Sequence, residues 1–128
     1  MIIDSSAVLA VLFRETGAED LLSTIVDADY VGIGSPTAAE TGLVLTARLQ
    51  KNASGSLLRF FEETGIEIIA FSDLHWQRAI DAFSRFGKGR HPAGLNFGDC
   101  MTYATAALAR QPLLCRGDDF RKTDLELV

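Results

Sequence analysis

The hydrophobic positions along the chain fall into two rhythms. Short apolar runs at Met1 to Asp4, Tyr30 to Gly34, Ile66 to Phe71 and Pro112 to Cys115 have the length and content of buried strands. Between them lie longer stretches with helical spacing, such as Leu21, Leu22, Ile25 and Val26 in a segment from Thr16 to Asp29. Helix-opening signals follow the strands. Asp4-Ser5-Ser6 can cap a helix over Ala7–Phe13, and Ser35-Pro36 opens one that runs to about Gln50, with Pro36 suited to the first turn. After a break at Asn52 to Gly55, Ser56 to Thr64 is helical and Gly65 ends it. Ser72 or Asp73 opens a helix to Phe86, and Asn96 to Arg110 forms another. Gly87 to Gly94 is a loop, Gly117-Asp118-Asp119 a turn, and Leu125 to Val128 adds an edge strand.

Short apolar strands alternating with helices predict an α/β sandwich around a mostly parallel sheet of four or five strands. At 128 residues the chain has the size of one domain, 1–128, and neither repeat nor linker interrupts it. Its 48% hydrophobic content excludes a disordered chain. The unbroken apolar run Ala7–Phe13 lacks preceding positive charge and is too short to span a bilayer, so it reads as a buried helix. Cys100 and Cys115 form no C-x-x-C pair and have no nearby histidine, which excludes a zinc site and suggests reduced thiols in a cytoplasmic protein.

Charge changes the picture locally rather than globally. A net charge of −5 argues against a general nucleic-acid binder. Yet Arg85, Lys88, Arg90 and His91 stand together in RFGKGRH with no acid among them. The acidic excess therefore lies elsewhere, and its placement carries information.

In parallel α/β folds, sites gather outside the carboxyl ends of the strands. Asp4 closes the first strand, where it also makes a good helix cap. Glu40 has Leu43, Val44 and Ala47 as helix neighbours, which puts it on an apolar stripe expected to face the core, or at a boundary from which it reaches solvent. Asp99 follows Asn96 in a capping arrangement at a helix start. Asp118 and Asp119 sit in a turn after the fourth strand. Gathered at one edge, such carboxylates repel by about 4 kcal/mol per pair at ~4 Å and an effective dielectric of roughly 20. A cluster of this kind needs a cation. All-oxygen ligands point to Mg²⁺ or Mn²⁺, and Mg²⁺ with its retained waters points to phosphodiester chemistry.

These segments resemble the PIN-domain toxins of the VapC type. Met1-Ile2-Ile3-Asp4-Ser5-Ser6-Ala7 is similar to their opening, and Ala39-Glu40-Thr41 to the segment of their second acid. Asn96-Phe97-Gly98-Asp99-Cys100 with Tyr103-Ala104 resembles the third acidic segment, and Gly117-Asp118-Asp119-Phe120 with Thr123-Asp124 the last. The resemblance implies a PIN fold, Mg²⁺-dependent cleavage of RNA, a homodimer, and inhibition by a VapB-type antitoxin. Asp4 and Asp99 carry over as the principal metal ligands, and Glu40 as a ligand or water-orienting group. Gly117 stands where many of these proteins have an acid, which leaves Asp118 or Asp119 as the fourth. Asp119, directly before Phe120, matches the usual pattern.

Ser6 is placed to orient Asp4 or simply to cap the helix. Lys88, Arg90 and His91 are read as RNA phosphate contacts, or as a solvated loop. His75 and Trp76 are assigned to packing. Leu9–Phe13 and Leu43–Leu49 serve the core or part of an antitoxin groove. Two other readings compete. A receiver-like phosphoacceptor domain needs an Asp closing its third strand, and Ile66–Phe71 has none. A PIN scaffold that binds RNA or protein without cutting is the nearer alternative.

Overall fold

Successive residues of a strand face opposite sides of the sheet, and here each side buries a different set of helices. A computed structural model describes residues 1–128. It has strands β1 (Ile2–Ile3), β2 (Val31–Gly34), β3 (Ile66–Ile69) and β4 (Leu113–Leu114), all parallel, in the order β3-β2-β1-β4. Helices α1 (Ser5–Leu12), α2 (Ala18–Asp27), α3 (Ser35–Leu49), α4 (Ser54–Thr64), α5 (Asp73–Phe86) and α6 (Phe97–Ala109) surround it, and a 3₁₀ turn spans Phe120–Lys122. Ile2 and Leu113 pack with Ala79, Ala82, Phe86, Tyr103 and Ala104 from α5 and α6. Ile3, Val31, Ile33 and Leu114 pack on the other face with Val8, Ile25, Leu57 and Phe61 from α1, α2 and α4. The result is an α/β/α sandwich.

Chain direction reverses its lateral progress at β1. From β1 the sheet grows through β2 to β3 on one side, while β4 is added on the other. The switch point therefore lies outside the carboxyl ends of β1 and β4, the usual location of a ligand site in such sheets. Gly34, at the end of β2, keeps that region tightly closed: a Cβ there would lie 2.6 Å from Oγ1 of Thr105 on α6.

Three expectations need correction. Leu43 and Val44 do not face the core, being 72% and 39% exposed. Thr37, Thr41 and Leu45 are the buried positions of α3, so the core-facing side is polar near the sheet and the apolar side faces out. Trp76 is 51% exposed rather than packed, whereas half-buried His75 lies against Phe71 and caps α5 by accepting from the Ser72 N–H. The expected strand over Leu125–Val128 is shorter than its range: the tail pairs with β4 at Leu113 alone, through the Leu113 N–H to the Glu126 carbonyl (2.9 Å) and the Val128 N–H to the Leu113 carbonyl (3.0 Å), forming a single parallel bridge with Leu127.

Candidate active site

Asp4 leaves β1 in an extended conformation (φ −88°, ψ 157°), its N–H still bonded to the Leu114 carbonyl at 2.9 Å. The side chain then turns inward and is buried. Its Oδ2 accepts from the Ser6 N–H (3.0 Å) and from the Ser6 hydroxyl (2.6 Å). Its Oδ1 accepts from the Thr102 hydroxyl on α6 at 2.8 Å. Ser6 is itself held by the Arg116 N–H at 2.9 Å, which joins α1 to the segment after β4. Asp4 is thus both the cap of α1 and a carboxylate fixed from three donors.

Asp99 is set by a reciprocal cap at the start of α6. Its N–H donates to Asn96 Oδ1 at 2.9 Å, and its Oδ2 accepts from the Asn96 N–H at 3.0 Å. Burial pushes its carboxyl above the usual range; the Asn96 N–H opposes this, while Asp4 and Asp119 reinforce it.

Glu40 reaches the same place from the second turn of α3. Its carboxylate rests over Gly98, where a Cβ would come within 2.5 Å of Oε2. Only glycine at 98 permits this approach between α3 and the first turn of α6. Glu40 is raised above the ordinary glutamate value, first by burial and then by the charges of Asp4 and Asp99.

The candidates for a fourth acid, Asp118 and Asp119, lie in the turn after β4. Both aspartates are exposed; Asp119 is the member whose charge bears on Asp99, while Asp118 pairs with Arg121 at 3.4 Å. No ion pair reaches the cluster: the pairs of the chain are Arg78–Asp81, Arg85–Asp81, Arg85–Asp124 and Arg121–Asp118.

The basic loop leads directly into this edge. Leu95 returns to Phe86 through its N–H, so Gly87–Gly94 closes just before Asn96. Lys88 and Arg90 are exposed, and the Arg90 guanidinium lies 5.5 Å over the Phe83 ring. His91 is half-buried, edge-on to Phe86, with Nδ1 accepting from the Ala93 N–H. Arg85 is withdrawn from the group by Asp124, which it meets at 2.8 Å.

The PIN-domain family model matches residues 1–126. Ribonuclease VapC36 of Mycobacterium tuberculosis is 46% identical over 127 residues, covering 98% of this chain and 91% of that protein.

The chain belongs to the PIN-domain family, in its VapC branch.

Ribonuclease VapC of Mycolicibacterium smegmatis is similarly close at 36% identity, with 100% and 99% of the two chains covered. Among solved structures, VapC20 of Mycobacterium tuberculosis, described as a sarcin-ricin-loop-cleaving toxin, shares the fold at TM-score 0.77 and 16% identity, covering 99% and 97% of the chains. A toxin–antitoxin complex from Klebsiella pneumoniae superposes at TM-score 0.74 with 19% identity, covering 99% and 95%.

A divalent cation is the implied partner of a PIN-domain site, and the residues here fit one. The acids offer oxygen only, and burial pushes the Cys100 and Cys115 thiols further up, to about 11, away from the thiolate form a soft metal would need. Glu40 and Asp99 are raised first by burial and then by their neighbours' charge, a repulsion that a cation would relieve.

Several residues that shape this PIN-domain site left little mark in the sequence. Gly98 is one, since its role depends on a helix distant in the chain. Thr37 and Thr102 are others, each reading as an ordinary buried helix residue. Phe97, 80% exposed on the first turn of α6, breaks the apolar-inside pattern.

Proposed function

We propose that this chain is a divalent-metal-dependent endoribonuclease, the toxin of a toxin–antitoxin module, using Mg²⁺ with Mn²⁺ as a substitute. The carrying observation is the convergence of Asp4, Glu40, Asp99 and Asp119 from separate elements without a protein cation, in a chain close over its whole length to named VapC ribonucleases.

In this reading Asp4 and Asp99 hold the ion, which would activate water and offset charge on the scissile phosphate. Ser6, Thr102 and Asn96 fix the two carboxylates so that little reorganisation is needed. Glu40, raised above the usual carboxylate range, is suited to accept a proton from the attacking water at its carboxylate oxygen. Asp119 completes the charge, with exposed Asp118 as a supporting acid. Lys88 and Arg90 contact the RNA backbone, while His91 shapes the loop that presents them.

A VapB-type antitoxin is the proposed inhibitor. The groove between α3 and α4, of about 470 Å³ and lined by Ala38, Gly42, Leu43, Leu57, Leu58 and Ile68, suits apolar antitoxin side chains. The solved relatives from toxin–antitoxin complexes support this pairing. Homodimerisation and a cytoplasmic location complete the reading, and no helix is long and apolar enough to cross a membrane.

The test is cleavage of an end-labelled tRNA and rRNA panel by antitoxin-free protein with Mg²⁺, Mn²⁺ or EDTA, beside Asp99→Asn. Discrete cuts lost in EDTA and in the variant support the reading. A folded, metal-binding protein that cuts no RNA favours a binding-only scaffold. Cuts that survive Asp99→Asn refute the assignment of the site.

A further inference from the structure

Beneath the carboxylates runs a buried chain of hydroxyl groups. Thr37 Oγ1 lies 3.0 Å from Thr102 Oγ1, and Thr102 Oγ1 lies 2.8 Å from Asp4 Oδ1. Both threonines are 1% exposed and Asp4 is 5% exposed. A carboxylate oxygen only accepts, so Thr102 gives its single proton to Asp4. Thr37 must then donate to Thr102. The chain has one direction, from α3 through α6 to the end of β1.

Its placement matters as much as its direction. Thr37 stands three residues before Glu40 on α3, and Thr102 stands three residues after Asp99 on α6. Residues three apart on a helix share a face. Each hydroxyl is therefore one helical turn from a site acid, and Asp4 is the chain's endpoint. Three acids on three elements are tied together by two hydrogen bonds in a dry interior. An unmade bond in such a place leaves a polar atom without water, which keeps the arrangement closed.

Resting on the metal-dependent reading above, we infer that Thr102 and, through it, Thr37 are positioning residues. They hold Asp4 in register with Glu40 and Asp99, and so set the affinity of the site for its divalent cation. Neither touches the ion or the substrate. Groups that orient metal-binding carboxylates typically change affinity by about 10–100-fold when lost.

The test is Mn²⁺ titration of the full chain by calorimetry and by the electron-spin signal of free Mn²⁺, with melting in EDTA to confirm folding. Thr102→Val keeps shape and removes the donor to Asp4; its Kd is expected to weaken about 10- to 100-fold. Thr102→Ser restores the hydroxyl and should return Kd to within about threefold of wild type, a rescue that a purely packing role would not give. Thr37→Val leaves the Thr102–Asp4 bond and should weaken binding by less than Thr102→Val, roughly threefold to tenfold. It also serves if Thr102→Val fails to fold. Wild-type affinity in folded Thr102→Val, or in Thr37→Val where that is the folded variant, overturns the inference and leaves the nuclease reading standing. A wild-type chain that takes up no Mn²⁺ overturns both.

Discussion

At the residue scale, the site acids do two kinds of work at once. Asp4 caps α1 and Asp99 completes the capping box of Asn96 at the start of α6, so the capping pattern visible in the sequence is real and coexists with their convergence. The capping role was readable because it is local, three residues or fewer. Convergence was foreseen only through strand ends and family resemblance, since nothing local brings positions 4, 40, 99 and 119 together. Glu40 illustrates the limit. Its apolar neighbours Leu43 and Val44 suggested a core-facing stripe, but the buried side of α3 carries Thr37 and Thr41. Periodicity locates a face without saying which partner it meets. Glu40 also carries a measurable consequence. A carboxyl raised in the folded state binds its proton more tightly there, so its ionisation destabilises the metal-free fold as pH rises through the raised value. Glu40→Gln should therefore melt higher than wild type in EDTA at pH 7, by roughly 2–5 °C for an effect of about 1 kcal/mol after solvent screening. The advantage should vanish on acidification below the ordinary glutamate value. Paired melting curves across pH check this, and an unchanged difference between pH 7 and pH 4 would refute the repulsion.

Helices and their junctions carry the next level. The start of α6 approaches α3 closely enough that Gly98 has no room for a side chain beside Glu40. Gly98→Ala removes a poor helix former, worth up to about 1 kcal/mol in favour of the fold, while displacing the carboxylate. Stability should hold or rise as metal-dependent cleavage falls about 10- to 100-fold, the scale expected when a reacting group shifts by about an ångström. Melting and single-turnover cleavage on the same preparation separate the two effects. A second junction pins the tail after the 3₁₀ turn. Asp124 accepts from the Tyr103 hydroxyl at 2.7 Å and pairs with Arg85 at 2.8 Å. Tyr103 donates and Arg85 pairs, so Asp124 is held below the usual carboxylate range, while Tyr103, through burial and this acid, is pushed up to about 12. A lowered carboxylate stabilises above its ordinary value and loses that contribution as pH falls below it. Asp124→Asn should lower stability at pH 7 by less than about 1 kcal/mol, because the pair is largely exposed, and by nothing measurable near pH 2. Urea melts at both pH values decide it. Sequence spacing gave no hint of this junction, which spans 21 and 39 residues.

Over the whole molecule, element order and fold class were legible because four short apolar strands alternate with helices, and a parallel sheet buried on both faces leaves few alternative architectures. The length of the tail's pairing was not, since a run such as Leu125–Val128 looks alike whether it pairs along its whole length or only at one residue. Charge distribution governs the RNA encounter. With a net charge of −5, attraction to a polyanion rests on local cations, foremost exposed Lys88 and Arg90. Replacing both with Gln should weaken binding of a non-cleaved RNA and flatten the salt dependence by about 1.4 in log–log slope, taking roughly 0.7 per phosphate contact on a single strand. Binding isotherms at several salt concentrations measure that slope, and an unaltered one would exclude the loop from the interface.

The capping geometry also has a consequence for variation within populations of such genes. Asn96 is the cap of α6 and Asp99 answers it only by accepting the Asn96 N–H, a bond that an asparagine carbonyl oxygen can also accept, so on the proposed reading Asp-to-Asn exchange at position 99 would remove the ionic ligand while leaving the helix start intact. A silenced copy would then persist as a well-folded decoy. On the proposed antitoxin pairing, it would still occupy the inhibitor and release active copies from it, turning a loss of chemistry in one gene product into a gain of activity in another.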